Sequence, residues 1–155
     1  MTSPLLPADP AAAADFADAA VVAELVGRYL VTLDDEELDD AWARSLFTQD
    51  ATVTFPMSRH QGCAGLAQWH RASLAFFART QHLGSPAVVS VTGDSAVFRA
   101  NVLTTHVHHP GQSRPPLFRA GTLASGRARR TAAGWRIGEL SFRVLFTEGE
   151  PPVRG

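Results

Sequence analysis

Lysine is absent from this 155-residue chain, and all 14 basic residues are arginines. Without an ε-amine the protein cannot form a Schiff base, anchor pyridoxal phosphate or build a phosphate-loop lysine. Isoleucine, asparagine and tyrosine occur once each, as Ile137, Asn101 and Tyr29, a scarcity that reads as the codon bias of a GC-rich genome. Cys63 is the single cysteine, so an intrachain disulfide is impossible and nothing points to an oxidising compartment. Met1 to Ala20 contains no basic residue, which argues against an ordinary signal or transit peptide. No apolar run nears the roughly 18 residues of a membrane span. The expectation is a cytoplasmic protein with no membrane partner.

What is present fits one domain, able to bury roughly 70% of the surface of its unfolded chain. The formal charge is near balance at -1, but its parts are segregated. Residues 1–50 hold eleven carboxylates against Arg28 and Arg44, whereas residues 51–155 hold twelve arginines against Asp94, Glu139, Glu148 and Glu150. These arginines are scattered through alternating segments and an acidic half is available to neutralise them, so no nucleic-acid partner is expected. Between Ala51 and Gly138 the only carboxylate is Asp94, in a turn. A carboxylate working in a pocket must then come from the N-terminal helices.

Residues 1–10 read as a disordered tail, 11–148 as the domain and 149–155 as a flexible C-terminal tail. Asp9-Pro10 is a cap followed by a first-turn proline, with Asp15 an equally good cap. Val22, Leu25, Val26, Tyr29, Leu30 and Leu33 follow a helical period. Asp34 or Asp35 should end that helix and cap a second, with Leu38, Ala41, Trp42, Ser45 and Leu46 on one face. Ala51 to Phe55 alternates as a short strand, and Gly62 and Gly65 open a third helix with Leu66, Trp69, Ser73 and Phe77 inward. After His82 the pattern is of strands: Val88 to Val91, a turn at Thr92-Gly93-Asp94, then a long strand placing Ala96, Phe98, Ala100, Val102, Thr104, His106 and His108 on one face. Leu117 to Arg130 and Trp135 to Phe146 follow. Helices first and antiparallel strands afterwards predict an α+β fold with segregated layers.

Several local sequences, in this order, resemble the SnoaL-like branch of the nuclear transport factor 2-like superfamily. They are Tyr29-x-x-x-Leu33-Asp34, Leu46-Phe47-Thr48-Gln49-Asp50-Ala51, Gly62-x-x-Gly65, Thr80-Gln81-His82-Leu83, Gly93-Asp94-Ser95-Ala96 with His106 twelve residues after the Asp, and Gly134-Trp135-Arg136-Ile137. The resemblance implies a cone-shaped α+β barrel, about three N-terminal helices on a curved, mixed but mostly antiparallel sheet. It also implies a homo-oligomer, dimer or trimer. Its members include ketosteroid isomerase, scytalone dehydratase and polyketide cyclases, along with proteins that catalyse nothing, so fold does not settle function.

Asp34 matches the pocket carboxylate of dehydratase-like members, and desolvation in an apolar cone would raise its pKa for proton transfer. The alternative is a helix cap within Asp34-Asp35-Glu36-Glu37, with Asp35 the plainer cap. His82 matches the family's pocket histidine and could act as acid or base near neutrality; otherwise it is a backbone-bonded residue at a helix–strand junction. His106 lies on an apolar strand face, either beside His82 in the site or as a buried structural histidine. A rim or surface place is expected for His108 and His109. His106-x-His108 could chelate a metal only if His82 or His60 added a third ligand. Cys63 has no acid nearby in sequence to complete a triad. Tyr29, Phe55, Met57, Trp69, Phe76, Phe98, Val102 and Phe118 are the expected pocket lining. The family's tyrosine beyond the glycine matched by Gly121 is missing, since Thr122, Leu123 and Ala124 follow. The expected function is a cofactor-free lyase, isomerase or cyclase acting on a hydrophobic polycyclic or aromatic small molecule, with no metal. The alternatives are a non-catalytic binding module and a metal enzyme using His106 and His108.

Overall fold

The computed structural model describes residues 9–112 and 114–153. Helix α1 spans Pro10–Asp35, with Asp9 as N-cap accepting from the Ala11 amide and Pro10 in the first turn. Residues 1–8 of the expected tail lie outside the described residues, and residues 9 and 10, also placed in that tail, are the cap and first residue of α1. The inner face of α1 carries Val22, Leu25, Val26, Tyr29, Leu30 and Leu33, all buried at the predicted spacing. Neither Asp34 nor Asp35 caps the next helix: α1 runs through both, and Asp39 caps α2 (Asp40–Leu46) by accepting from the Trp42 amide at 2.7 Å. Ala43, not Ala41, joins Trp42 and Leu46 in the core. Trp42 Nε1 donates to Thr32 Oγ1 at 2.8 Å, tying α2 to α1.

The strands are β1 (Phe47–Phe55), β2 (Ser58–Gln61), β3 (Arg79–Gly84), β4 (Val88–Thr92), β5 (Ser95–Val107), β6 (Leu117–Thr131) and β7 (Gly134–Glu148), with α3 (Leu66–Leu74) between β2 and β3. They form one sheet in the order β2-β1-β7-β6-β5-β3, with β4 also on β5. Only β1 and β7 run parallel; all other pairs are antiparallel. This is the expected mixed, mostly antiparallel curved sheet under three helices, open and not a closed barrel. The strand β2 had no sequence signal, because its polar residues pair through backbone alone. Register shifts in β6–β7 between Gly121 and Thr122, and between Arg127 and Ala128, let the sheet bend.

The segregated charges meet across the layers. Arg130 bridges Asp18 of α1 and Asp94 of the β4–β5 turn, at 2.7 and 3.0 Å, and Trp135 Nε1 also donates to Asp18. Arg129 pairs with Asp50 at 2.7 Å.

Gly126 marks the tightest point of the sheet. A Cβ there would run into the Glu139 carbonyl on β7 and lie 2.6 Å from Phe98 Cζ. Gly126→Ala should therefore cost about 1–3 kcal/mol of stability, through overpacking against backbone that cannot move aside. Urea unfolding checks this; an unchanged midpoint would show the bend is adaptable.

Candidate active site

Between the helices and the concave sheet lies a cavity of about 320 Å³, and among the described residues neither arginine nor carboxylate lines it. Its walls are mainly aromatic and aliphatic, including Tyr29, Leu33, Phe55, Phe77, Phe118 and Phe142, with His70, His82 and His106 and several serine and threonine hydroxyls as polar groups.

Strand register builds the polar patch. In β3–β5, Thr80 pairs with His106 and His82 with Thr104, so all four side chains share the inward face. Helix α1 brings the acid to this patch. It packs on β3 where Gly84 leaves room for Leu30, whose Cδ1 would stand 2.6 Å from a Cβ on that glycine. Asp34 then sits in the last turn of α1 and accepts three hydrogen bonds. They come from His82 Nδ1 at 2.6 Å, the His82 amide at 2.7 Å and Thr80 Oγ1 at 2.9 Å.

Two consequences follow from that contact. A carboxylate can only accept, so His82 donates from Nδ1, and in the neutral ring this tautomer leaves Nε2 as the acceptor. Second, the Asp34 carboxyl departs from expectation. Burial pushes its pKa up, but hydrogen bonds from the His82 ring and amide, its charge and Thr80 outweigh burial and hold the group below the usual carboxylate range. The lowered pKa favours the ionised form of Asp34, opposite to the raised value expected from desolvation alone. An acid at a helix C-terminus opposes the macrodipole, so this position is locally unfavourable and is offset by its β3 partners.

His106 donates from Nδ1 to the Phe118 carbonyl at 3.0 Å, which leaves its Nε2 as an acceptor. Phe77 and Phe118 flank its ring, with centroids 4.3 and 5.3 Å away. Burial pushes its pKa down, so it is neutral at neutral pH.

His70, which carried no expectation, also lines the cavity. Its Nδ1 donates to the Leu66 carbonyl and its Nε2 accepts from Tyr29 Oη, both at 2.9 Å. Burial lowers its pKa to about 4 and raises that of Tyr29. The expected inner face of α3 is rotated by about one residue: Leu66, Ala67 and His70 are buried, and an i, i+4 reading from Leu66 would have found His70.

Of the expected lining, Tyr29, Phe55, Met57 and Phe118 face the cavity. Trp69 lies behind it, stacked on Phe55 at 4.4 Å, and Phe77 occupies the place expected of Phe76. Phe98 and Val102 are on the right strand face but sealed in the core, at 3% and 2% exposure. His108 is not a rim residue. It is buried at 6% exposure, gives its Nε2 proton to the Glu150 carbonyl and leaves Nδ1 without a partner among the described residues. His109 is exposed and bonds the Ala75 carbonyl. His60 bonds the Ala64 carbonyl. No group of three or more His, Cys, Asp or Glu is gathered among the described residues, so the His106–His108 chelate finds no third ligand. Cys63 is half-buried, and burial pushes its thiol pKa up, away from nucleophilic character.

No helix of the described residues is long and apolar enough to cross a membrane. None of the curated proteins matches the chain. Among solved structures it is similar to the Kfla4162 protein of Kribbella flavida, with 27% identity, 86% of this chain and 94% of that one covered, and a TM-score of 0.78. It is also similar in fold to hexachlorocyclohexane dehydrochlorinase LinA-type3 from Novosphingobium barchaimii LL02, with 15% identity, 90% and 94% coverage and a TM-score of 0.75. A third is a protein from Novosphingobium aromaticivorans provisionally named a scytalone dehydratase, with 20% identity, 90% and 91% coverage and a TM-score of 0.74. The SnoaL-like domain family matches residues 14–141, which include the Asp34–His82 pair and the cavity lining up to Thr122. The chain belongs to this SnoaL-like family.

Proposed function

We propose that the protein is a cofactor-independent enzyme that moves a proton on an uncharged aromatic or fused-ring substrate, as a lyase, isomerase or cyclase. The observation that carries this reading is the Asp34–His82 contact at 2.6 Å, with side chains 17% and 12% exposed, at an apolar cavity. His82 Nε2 is the base. It takes a proton from a carbon next to a carbonyl, and Asp34 stabilises the imidazolium that forms. The imidazolium can return the proton to another carbon of the same substrate, an isomerisation. It can also pass the proton to a departing hydroxyl on the adjacent carbon, which leaves as water while the electron pair becomes a double bond. The neutral His106 accepts a hydrogen bond from a substrate hydroxyl through Nε2.

That no arginine or carboxylate lines the walls among the described residues favours an uncharged substrate, because a buried unpaired ligand charge would be costly. At about 320 Å³ the cavity is near the small end of ligand sites, which favours one or two rings over larger polycycles. Two of the similar structures carry names that denote loss of water or of hydrogen chloride, which is consistent with elimination chemistry.

The test is proton exchange in D₂O against a panel of neutral one- and two-ring ketones, some with a hydroxyl on the carbon β to the carbonyl. Proton NMR should record loss of the α-proton signal with wild-type protein, and alkene signals where a leaving group is present. Exchange no faster than without protein across the panel, or equal with His82→Gln, would reject His82 as the base.

A further inference from the structure

The C-terminal segment is built into the cavity and not left as a tail. After β7, Gly149 turns the chain at φ +87, where a Cβ would strike the Leu117 carbonyl at the start of β6. Only glycine suits this reversal, which sends residues 150–152 back across the cavity. Pro151 and Pro152 become part of its wall, although Pro151 itself is exposed to solvent on its other side.

Two prolines suit this position physically. They have no N–H to leave unsatisfied against an apolar ligand, and their fixed φ keeps the segment stiff. Two of the segment's three carbonyls are partnered from outside it. His108 Nε2 donates to the Glu150 carbonyl and Arg114 Nη1 to the Pro151 carbonyl, each at 2.8 Å. Neither His108 nor Arg114 lines the cavity. His108 is almost wholly buried and its bond to Glu150 fixes the proton on Nε2, so it can serve only as the donor of this latch. The segment thus rests on two side-chain hydrogen bonds and a glycine turn.

We propose that residues 150–152 are a latched wall of the ligand site. They close on a bound apolar molecule, His108 and Arg114 act as positioning residues that hold the wall shut, and ligand exchange requires the latch to open. This rests on the cavity being a ligand site, as the proposed function has it, but on no catalytic step.

The experiment uses the full chain and the uncharged apolar fluorophore N-phenyl-1-naphthylamine, whose release is followed by stopped-flow dilution. Losing one latch bond in Arg114→Ala should raise the release rate about 3- to 10-fold, and the paired change Pro151→Gly/Pro152→Gly should do the same. Melting temperatures should stay within a few degrees of wild type, because both changes are at the surface. His108→Gln, which keeps a donor, should release more slowly than His108→Ala; if the buried position prevents folding, the Arg114 and proline variants still decide. Release within twofold of wild type in both of those, or no saturable binding of the fluorophore to wild type, overturns the proposal. D₂O exchange tests the catalytic reading separately: a latch that fails leaves exchange intact, and a chain that exchanges no proton can still show latched release.

Discussion

Asp34→Asn and His82→Gln should each lower the rate of α-proton exchange by about 100- to 10,000-fold, the range for removing a positioned base or its orienting partner. That corresponds to about 3–5 kcal/mol of barrier. For His82→Gln the reason is direct: an amide cannot take a proton near neutral pH. For Asp34→Asn it is geometric. Asp34 accepts from the His82 ring, the His82 amide and Thr80. Asparagine has one acceptor oxygen, so its NH₂ must face at least one donor, and the ring tautomer that presents an unprotonated Nε2 is no longer enforced. The negative charge that stabilises an imidazolium is lost as well. Both variants should still bind N-phenyl-1-naphthylamine with affinity within about threefold of wild type, since the apolar walls are untouched. Unchanged exchange in both would leave the cavity as a binding site with structural histidines. Loss of binding together with exchange would mean that the pair holds the cavity open and does not act on substrate.

The parts of this arrangement that were legible in the sequence are those written locally. The α1 stripe from Val22 to Leu33 was readable because helical period alone decides which side faces inward. The β5 face through Ala96, Phe98, Ala100, Val102 and Thr104 was readable by alternation, and Asp34 and His82 by their match to family motifs. His108 lies on the inward side that alternation gives it, but it is not at the rim, because past the end of β5 at Val107 the C-terminal segment bonds and covers its ring. His70 was missed because its meaning depends on Tyr29, 41 residues earlier and on another helix. The state of Asp34 was misjudged for the same kind of reason. Desolvation can be anticipated from an apolar neighbourhood, but the three donors that overcome it sit on a strand 46 and 48 residues away. Phe98 and Val102 had the right face and the wrong depth, since alternation does not say where along a strand the core ends and the cavity begins. The latch at Glu150 and Pro151 left no periodic signal at all.

Acid should destabilise the protein through His70 well above the pH at which carboxylates titrate. Unfolded, this imidazole has an ordinary pKa of 6.5, and in the fold burial lowers it to about 4. Below pH 6.5 the unfolded chain therefore binds a proton that the folded one refuses, so the contribution is intact above 6.5 and is lost as pH falls toward about 4. At 1.36 kcal/mol per pH unit, the full loss is about 3 kcal/mol, and most of it is reached by roughly pH 4.5. Burial likewise lowers the His106 pKa, which adds in the same direction. A partner swap isolates the His70 share. His70→Leu alone strands the Tyr29 hydroxyl in a buried cage of Trp42, Phe47 and Phe142, and should cost about 1–3 kcal/mol at pH 7. Tyr29→Phe/His70→Leu removes both polar groups, should recover much of that loss, and should shrink the stability difference between pH 7 and pH 4.5 by about 2–3 kcal/mol. Urea unfolding at the two pH values measures this directly. If the double variant remained as acid-sensitive as wild type, His106 would be responsible instead, because its lowered pKa acts in the same pH range, whereas Asp34 loses its contribution only as pH falls below its ordinary 3.8.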